Sequence, residues 1–389
     1  MNLPADQKSI YRFLAIQTIA SVVALQAWTT LFNNFAVEVA GLDGRQAGII
    51  QSVREVPGFL ALLAVFILLV IREDRLSALS VICLGTGTAL AGFFPSFTGL
   101  MFTTLVMSFG FHYFETTNQS LTLQHFDSGT SPLVFGHLRS LSALASIGVG
   151  IFVFIANPLL GYTEMFLLLG LLTVAAGLWG LLRAPAKRDL VPQRRQMVFR
   201  RAYLLFYILT FLAGARRQIF VAFSVFLMVK IFGFTVAEIT GLFVINSCIN
   251  YVASPLLGRA IVRFGERRLL SLEYLGLIFV FITYAFSGSK WVIAAMYIVD
   301  SLLYTFAIGI RTYFQKVADP RDIAPSMAVG FTINHIAAVI MPALGGVLWL
   351  IDYRIPFLGG AVLSLISLLA VQWIPRHADL RVRIVQSTV

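Results

Sequence analysis

The sequence predicts an all-α integral membrane protein, with twelve transmembrane helices arranged as two pseudo-symmetric six-helix bundles. Three observations predict it. Apolar residues make up 58% of the 389 residues and charged residues only 12%, with a mean hydropathy of +0.86, which leaves too little polar surface for a soluble domain of this size. The apolar residues gather into twelve stretches long enough, at about 20 residues, to cross a hydrocarbon core roughly 30 Å thick. The lysines and arginines crowd into every second gap between those stretches.

The stretches fall near 10–36, 46–71, 76–95, 98–122, 132–156, 162–183, 202–229, 235–257, 269–287, 291–314, 325–350 and 355–374. They are far longer than the alternating segments of about 9–11 residues that build outer-membrane barrels, and lipid admits only helices or closed barrels, so each reads as a helix. With both termini in the cytoplasm, the cytoplasmic segments carry 20 of the 29 lysines and arginines. The opposite side carries only Arg45, Lys230, Lys290 and Arg354, and this asymmetry predicts the orientation in the cytoplasmic membrane. The net charge of +11 is then a topology signal and an attraction to lipid headgroups, with no nucleic-acid partner implied.

The first residues lack the basic, apolar and small-residue regions of a cleaved secretory signal, so the first span reads as retained. Cys83 and Cys248 both fall in apolar spans and read as packing residues, without the spacing of a disulfide framework, a redox pair or a metal centre. The longest polar stretch, 184–201, is basic and contains Pro185 and Pro192. It is expected to link a bundle over 1–183 to a second over 202–375, with a basic tail over 376–389.

An internal duplication supports that division. An offset of 192 carries Gly41-Leu42 onto Gly233-Phe234, Arg54 onto Asn246, and the turn Arg72-Glu73-Asp74-Arg75 onto Phe264-Gly265-Glu266-Arg267. Parallel six-helix repeats are a known transporter plan.

With twelve spans, cytoplasmic termini, a long basic central loop and basic turns after spans two and eight, the chain resembles the major facilitator superfamily over essentially its full length. The family's signature turn is approximately Gly-x-x-x-Asp-Arg-x-Gly-Arg-Arg. Gly258, Arg263, Gly265, Arg267 and Arg268 match it in the second half, where Val262 stands in place of the acid. The first-half copy keeps only Arg75 in register, with Arg72 and Asp74 beside it and Phe66, Val70 and Glu73 at the signature positions. The resemblance implies these as gating turns, and it implies alternating access around a central site lined by spans one, four, seven and ten, with help from two, five, eight and eleven.

Eight charged residues lie well inside spans: Arg54, Glu55, Glu115, Arg139, Arg216, Arg217, Asp300 and Arg311, with none expected deep in spans three, six, nine or twelve. At roughly 2.5–3.5 kcal/mol each on the insertion scale they do not face lipid. They face a wet cavity or one another. Five arginines against three carboxylates suit an anionic solute, because guanidinium stays charged when buried and offers a planar donor fork to oxyanions.

Arg54, Arg216, Arg217, Asn246, Asn250, Arg311, Asn334 and His335 are therefore the candidate solute ligands. Arg216 and Arg217 point about 100° apart, so one is expected to meet the solute while the other pairs with a neighbouring helix. Interhelical hydrogen bonding is the competing role for the amides. Glu55, His112, Glu115, Arg139 and Asp300 are the candidate coupling or ion-pair groups; His112 and Glu115 share a helix face and suit a proton relay. The alternative is that Glu115 neutralises a cavity arginine. Snorkelling competes for Arg139 and Arg311.

The sequence offers no HExxH, GxSxG or Walker pattern, so it predicts no enzyme, cofactor or metal. It predicts a monomeric secondary transporter of a small, anionic solute, with a possible coupling proton or ion. The competing readings are proton-antiport efflux of drugs or toxic metabolites and, behind it, a nontransporting membrane receptor or scaffold.

Overall fold

The structure, a computed structural model, describes residues 4–375 apart from 43, 158, 184–192, 195 and 235. Most of the expected linker, the tail over 376–389, and Lys187, Arg188, Arg195, Arg376, Arg381 and Arg383 lie outside the described residues.

The described chain is helical and free of strands. The unbroken rods are α1 (Ala5–Glu38), α3 (Glu73–Ala91), α4 (Phe97–His125), α5 (Ser131–Ala156), α6 (Tyr162–Arg183), α8 (Val236–Phe264), α9 (Glu266–Phe286), α11 (Ile323–Ile351) and α12 (Arg354–Val371). The other three rods are interrupted. The second, α2, runs as Gly44–Arg54, Val56–Phe59, a 3-10 turn Leu60–Leu63 and Ala64–Ile67. The seventh, α7, runs as Leu204–Ile219, a π turn Phe220–Ser224 and Val225–Lys230; the tenth, α10, runs as Lys290–Tyr304, a 3-10 turn Thr305–Ala307 and Ile308–Val317.

Ten of these rods are long and apolar enough to cross a membrane on composition alone. The other two are α3, which gives its first turn to Glu73, Asp74 and Arg75, and α4, whose later turns carry His112, Glu115, Asn118 and Gln119.

The contacts divide the chain into two compact units: Met1–Asp127, Leu141–Val198 and Pro320–Thr332 in the first, and Ser128–Ser140, Phe199–Asp319 and Ile333–Val389 in the second. In the first unit α3 packs on α6 and α4, α6 on α1, and α4 on α2. In the second unit α9 packs on α12 and α10, α12 on α7, and α10 on α8. Each pairing recurs six helices later, which is the duplication in three dimensions.

The ends of α1 and α7 repeat it atom for atom. Leu42 N–H donates to the Ala36 carbonyl at 2.8 Å and Phe234 N–H to Met228 at 3.0 Å, each across a glycine with φ of 62°, Gly41 and Gly233. A side chain is strained in that left-handed region, so glycine is required twice at the same offset.

Close packing in the first unit rests on small residues. A Cβ placed on Gly85 would meet the Gly170 carbonyl at 2.8 Å, so α3 and α6 touch through backbone. Hydroxyls and amides add to this: Gln17 donates to the Ala176 carbonyl at 2.8 Å and Thr173 to Ala20 at 3.1 Å. In the second unit the start of α5 is held by α8, where Ser140 donates to the Tyr251 carbonyl at 2.7 Å.

Candidate functional site

Two of the three interruptions lie within a turn of charged residues. Pro57 has no N–H, and the amide of Gly58 turns back to the Glu55 carbonyl at 3.1 Å instead of the Arg54 carbonyl four residues behind it. The released Arg54 carbonyl accepts a hydrogen bond from the Ser108 hydroxyl of α4. The break thus sets Arg54 and Glu55 side by side in an ion pair at 2.7 Å, each about a quarter exposed. The Arg54 guanidinium also lies 5.4 Å from the centre of the buried Trp28 ring.

On α4, His112 is buried between Phe111 and Phe331. Glu115, predicted to share its face, takes a hydrogen bond from Gln119 at 3.2 Å.

In the second unit, α7 widens into its π turn directly after Arg216 and Arg217, and the Phe220 N–H is shared between the carbonyls of both. π turns concentrate at functional positions, because the extra residue re-aims the side chains around it. Arg216 is 3% exposed, with Nη2 3.7 Å from Glu273 of α9. It also donates to the Ser367 hydroxyl of α12 and lies 4.4 Å from the centre of the Tyr274 ring. Arg217 is half-buried and turns toward α10, 5.4 Å from the centre of the Tyr304 ring. Arg139 of α5 is exposed and reaches the same ring at 5.7 Å.

A cavity lined by Arg216, Arg217, Glu273, Asp300 and Tyr304 lies among these helices, with room for about one water molecule.

The two adjacent arginines therefore divide their roles as their 100° separation demands. Arg216 is locked among α9 and α12, and Arg217 shares the Tyr304 ring with Arg139.

One expectation is corrected. No charge was expected deep in span nine, yet Glu273 sits two turns inside α9 and is 2% exposed. The signal was present in the sequence as a lone carboxylate in Ser271-Leu272-Glu273-Tyr274-Leu275, four residues into the expected span.

The remaining candidates are engaged in packing. Asn250 accepts from Thr305 at 2.8 Å, which ties α8 to the 3-10 turn of α10. Asn246 is buried on the same helix. Asn334 donates to the Thr210 carbonyl at 3.4 Å beside Gly214, and His335 next to it is buried. Arg311 lies 5.8 Å from the Phe135 ring centre.

In the turn after α2, Arg72 chelates Asp74 with contacts of 2.7 and 3.1 Å, and Arg75 is exposed. Gly265 caps α9 with φ of 81°, and Arg267 reaches Gln372 beyond α12 at 3.0 Å. Gly258 is the contact between α8 and the start of α5, where a Cβ would meet the Pro132 carbonyl at 2.5 Å. Arg263 lies over Phe264, and Arg268 is exposed. Glu266, four residues past Val262, is buried and pairs with Lys316 at 2.7 Å, an acid of the turn that the signature spacing did not pick out.

A six-helix arrangement that recurs, and charged side chains set within long apolar helices, are the features of a multi-pass membrane transport protein. The chain belongs to the Major Facilitator Superfamily, whose family model matches residues 13–334 and 206–387.

Solved structures of the family share the fold. The E. coli fucose:proton symporter FucP superposes with a TM-score of 0.75 at 14% identity, covering 94% of this chain and 98% of that one. The human organic anion transporter MFSD10 (TETRAN) gives 0.75 at 11% identity over 95% and 100% of the two chains. A bacterial homologue of the iron transporter ferroportin gives 0.73 at 15% identity over 93% and 98%. No curated protein sequence matches the chain. Family members are transporters of small molecules and not enzymes.

Proposed function

We propose that the protein carries a small anionic solute across the cytoplasmic membrane by alternating access, with Arg217 and Arg139 as its anchors. The observation that carries the reading is the meeting of two guanidinium groups on the one Tyr304 ring. Two like charges brought to one ring repel, and an oxyanion bound beside that ring offsets the repulsion and matches the planar guanidinium forks. Arg139 is exposed and Arg217 half-buried, so both donor sets are within a solute's reach. The structural neighbours, at 11–15% identity, speak for the fold and leave the solute to these residues.

The test is the melting temperature of the purified, detergent-solubilised protein against monocarboxylates, dicarboxylates, phosphorylated metabolites, inorganic oxyanions and lipophilic cations at matched ionic strength. A ligand at 100 times its Kd stabilises the native state by about 2.7 kcal/mol. Saturable stabilisation by one anion class, lost in Arg139→Gln/Arg217→Gln and weakened in Arg217→Lys, is the expected result. Stabilisation by lipophilic cations alone points to drug export and removes the anion reading, as does anion stabilisation that survives the double variant.

A further inference from the structure

Asp300 of α10 and Glu273 of α9 are the two carboxylates of the second unit that line the small cavity, at 3% and 2% exposure. The cation between these helices is Arg216, 3.7 Å from Glu273 and turned by its bond to Ser367 toward α12. Arg217 lines the same cavity with its guanidinium on the Tyr304 ring, and Arg216 is the cation whose charge bears on both carboxylates.

Glu273 Oε2 and Asp300 Oδ2 are both buried without a hydrogen-bond partner. The remaining polar groups nearby are neutral: Tyr274 and Tyr284 on α9, Tyr297 on α10, and Asn246 on α8 beside Tyr297. Two ionised carboxylates against the Arg216 guanidinium leave a buried excess of negative charge, which a cavity with room for about one water molecule does not solvate. One added proton leaves a single carboxylate facing a single guanidinium and supplies a donor to a lone acceptor oxygen.

We propose that Glu273 and Asp300 form a binding site for one proton, held between α9 and α10 beside Arg216. The proton is the coupling ion of transport. Its use in coupling rests on the transporter reading above; its binding does not. The π turn of α7 lies directly after Arg216, so the helix that carries the counter-cation is also the one with a deformable turn beside the site.

Infrared difference spectroscopy of the full chain in lipid nanodiscs, taken across a pH titration without solute, reads the site directly. The wild type is expected to show the C=O stretch of a protonated carboxyl that is lost on alkalinisation. Glu273→Gln or Asp300→Asn is expected to remove one carboxyl's share of that band. Each variant leaves one carboxylate opposite Arg216, so each is expected to fold. Asp300→Glu keeps both carboxyls and is expected to shift the band instead of removing it.

A wild-type band that persists in full in both amide variants overturns the proposal. So does a spectrum without a protonated carboxyl. Neither result touches anion-induced stabilisation, and failure of the anion reading leaves the spectrum unchanged, so the two fail separately.

Discussion

Arg216 and Arg217 show how much a single step along a helix decides. The first is enclosed by Glu273, Tyr274 and Ser367, and the second leans on Tyr304. Removing Arg216 strands a buried carboxylate, so Arg216→Met is expected to destabilise the protein by about 3–5 kcal/mol, and adding Glu273→Leu is expected to recover most of that. Denaturant unfolding in detergent measures both.

In the turn outside the spans, Glu73 is pushed up to about 7 by burial, against the opposing hydrogen bonds from Ser120 and Gln124 and with a smaller push from Asp74. A carboxyl raised on folding ionises more readily in the unfolded chain, so its contribution to stability is full below pH 4.5 and falls as pH rises to about 7. Glu73→Gln is therefore expected to raise the melting temperature at pH 8 relative to the wild type and to leave it unchanged at pH 4.

Helix interruptions dominate the next scale. At the break in α2 the Arg54 carbonyl depends on the Ser108 hydroxyl. Ser108→Ala leaves that carbonyl without its partner and is expected to cost about 1–3 kcal/mol, whereas Ser108→Thr keeps the hydroxyl and costs less. Pro57→Ala restores the missing donor and is expected to straighten α2, raising stability while displacing the Arg54–Glu55 pair. Thermal melts together with a double-mutant cycle on Arg54 and Glu55 read the two effects apart. At the ends of α1 and α7, Gly41→Ala and Gly233→Ala are each expected to cost about 1–2 kcal/mol, equal in the two halves because the conformation is the same.

For the whole molecule, the basic residues set an expectation of orientation. On a background with Cys83 and Cys248 replaced, Gln193→Cys is expected to react with a membrane-impermeant thiol reagent only from the cytoplasmic side, and Gly288→Cys only from the other. The reverse pattern in intact cells sinks the proposed topology. The same arrangement of contacts recurs in each unit, α3 with α6 and α4 as α9 with α12 and α10, so stability is spread over two comparable cores. Gln193 also ties the described part of the linker to its own unit, donating to the Pro320 carbonyl at 2.8 Å and accepting from Ala324 N–H at 2.9 Å.

The sequence by itself determined the fold class, the number of helices and the duplication, because lipid imposes one length and one backbone geometry on every spanning segment. Gly41 and Gly233 were legible as equivalent for the same reason: a local backbone requirement is written in the residue that meets it. The charged positions were also legible, since a charge inside an apolar span is conspicuous. Their partners were not. Glu273 is 57 residues from Arg216, and Arg139 meets Tyr304 across 165 residues, separations at which only helix packing decides which faces touch. The breaks at Glu55, at Phe220–Ser224 and at Thr305–Ala307 were equally hidden, apart from Pro57. At the α2 break the ladder bond that the Arg54 carbonyl loses is supplied by Ser108, and at the α10 break the Thr305 hydroxyl finds Asn250; those neighbours are assembled only in the tertiary structure.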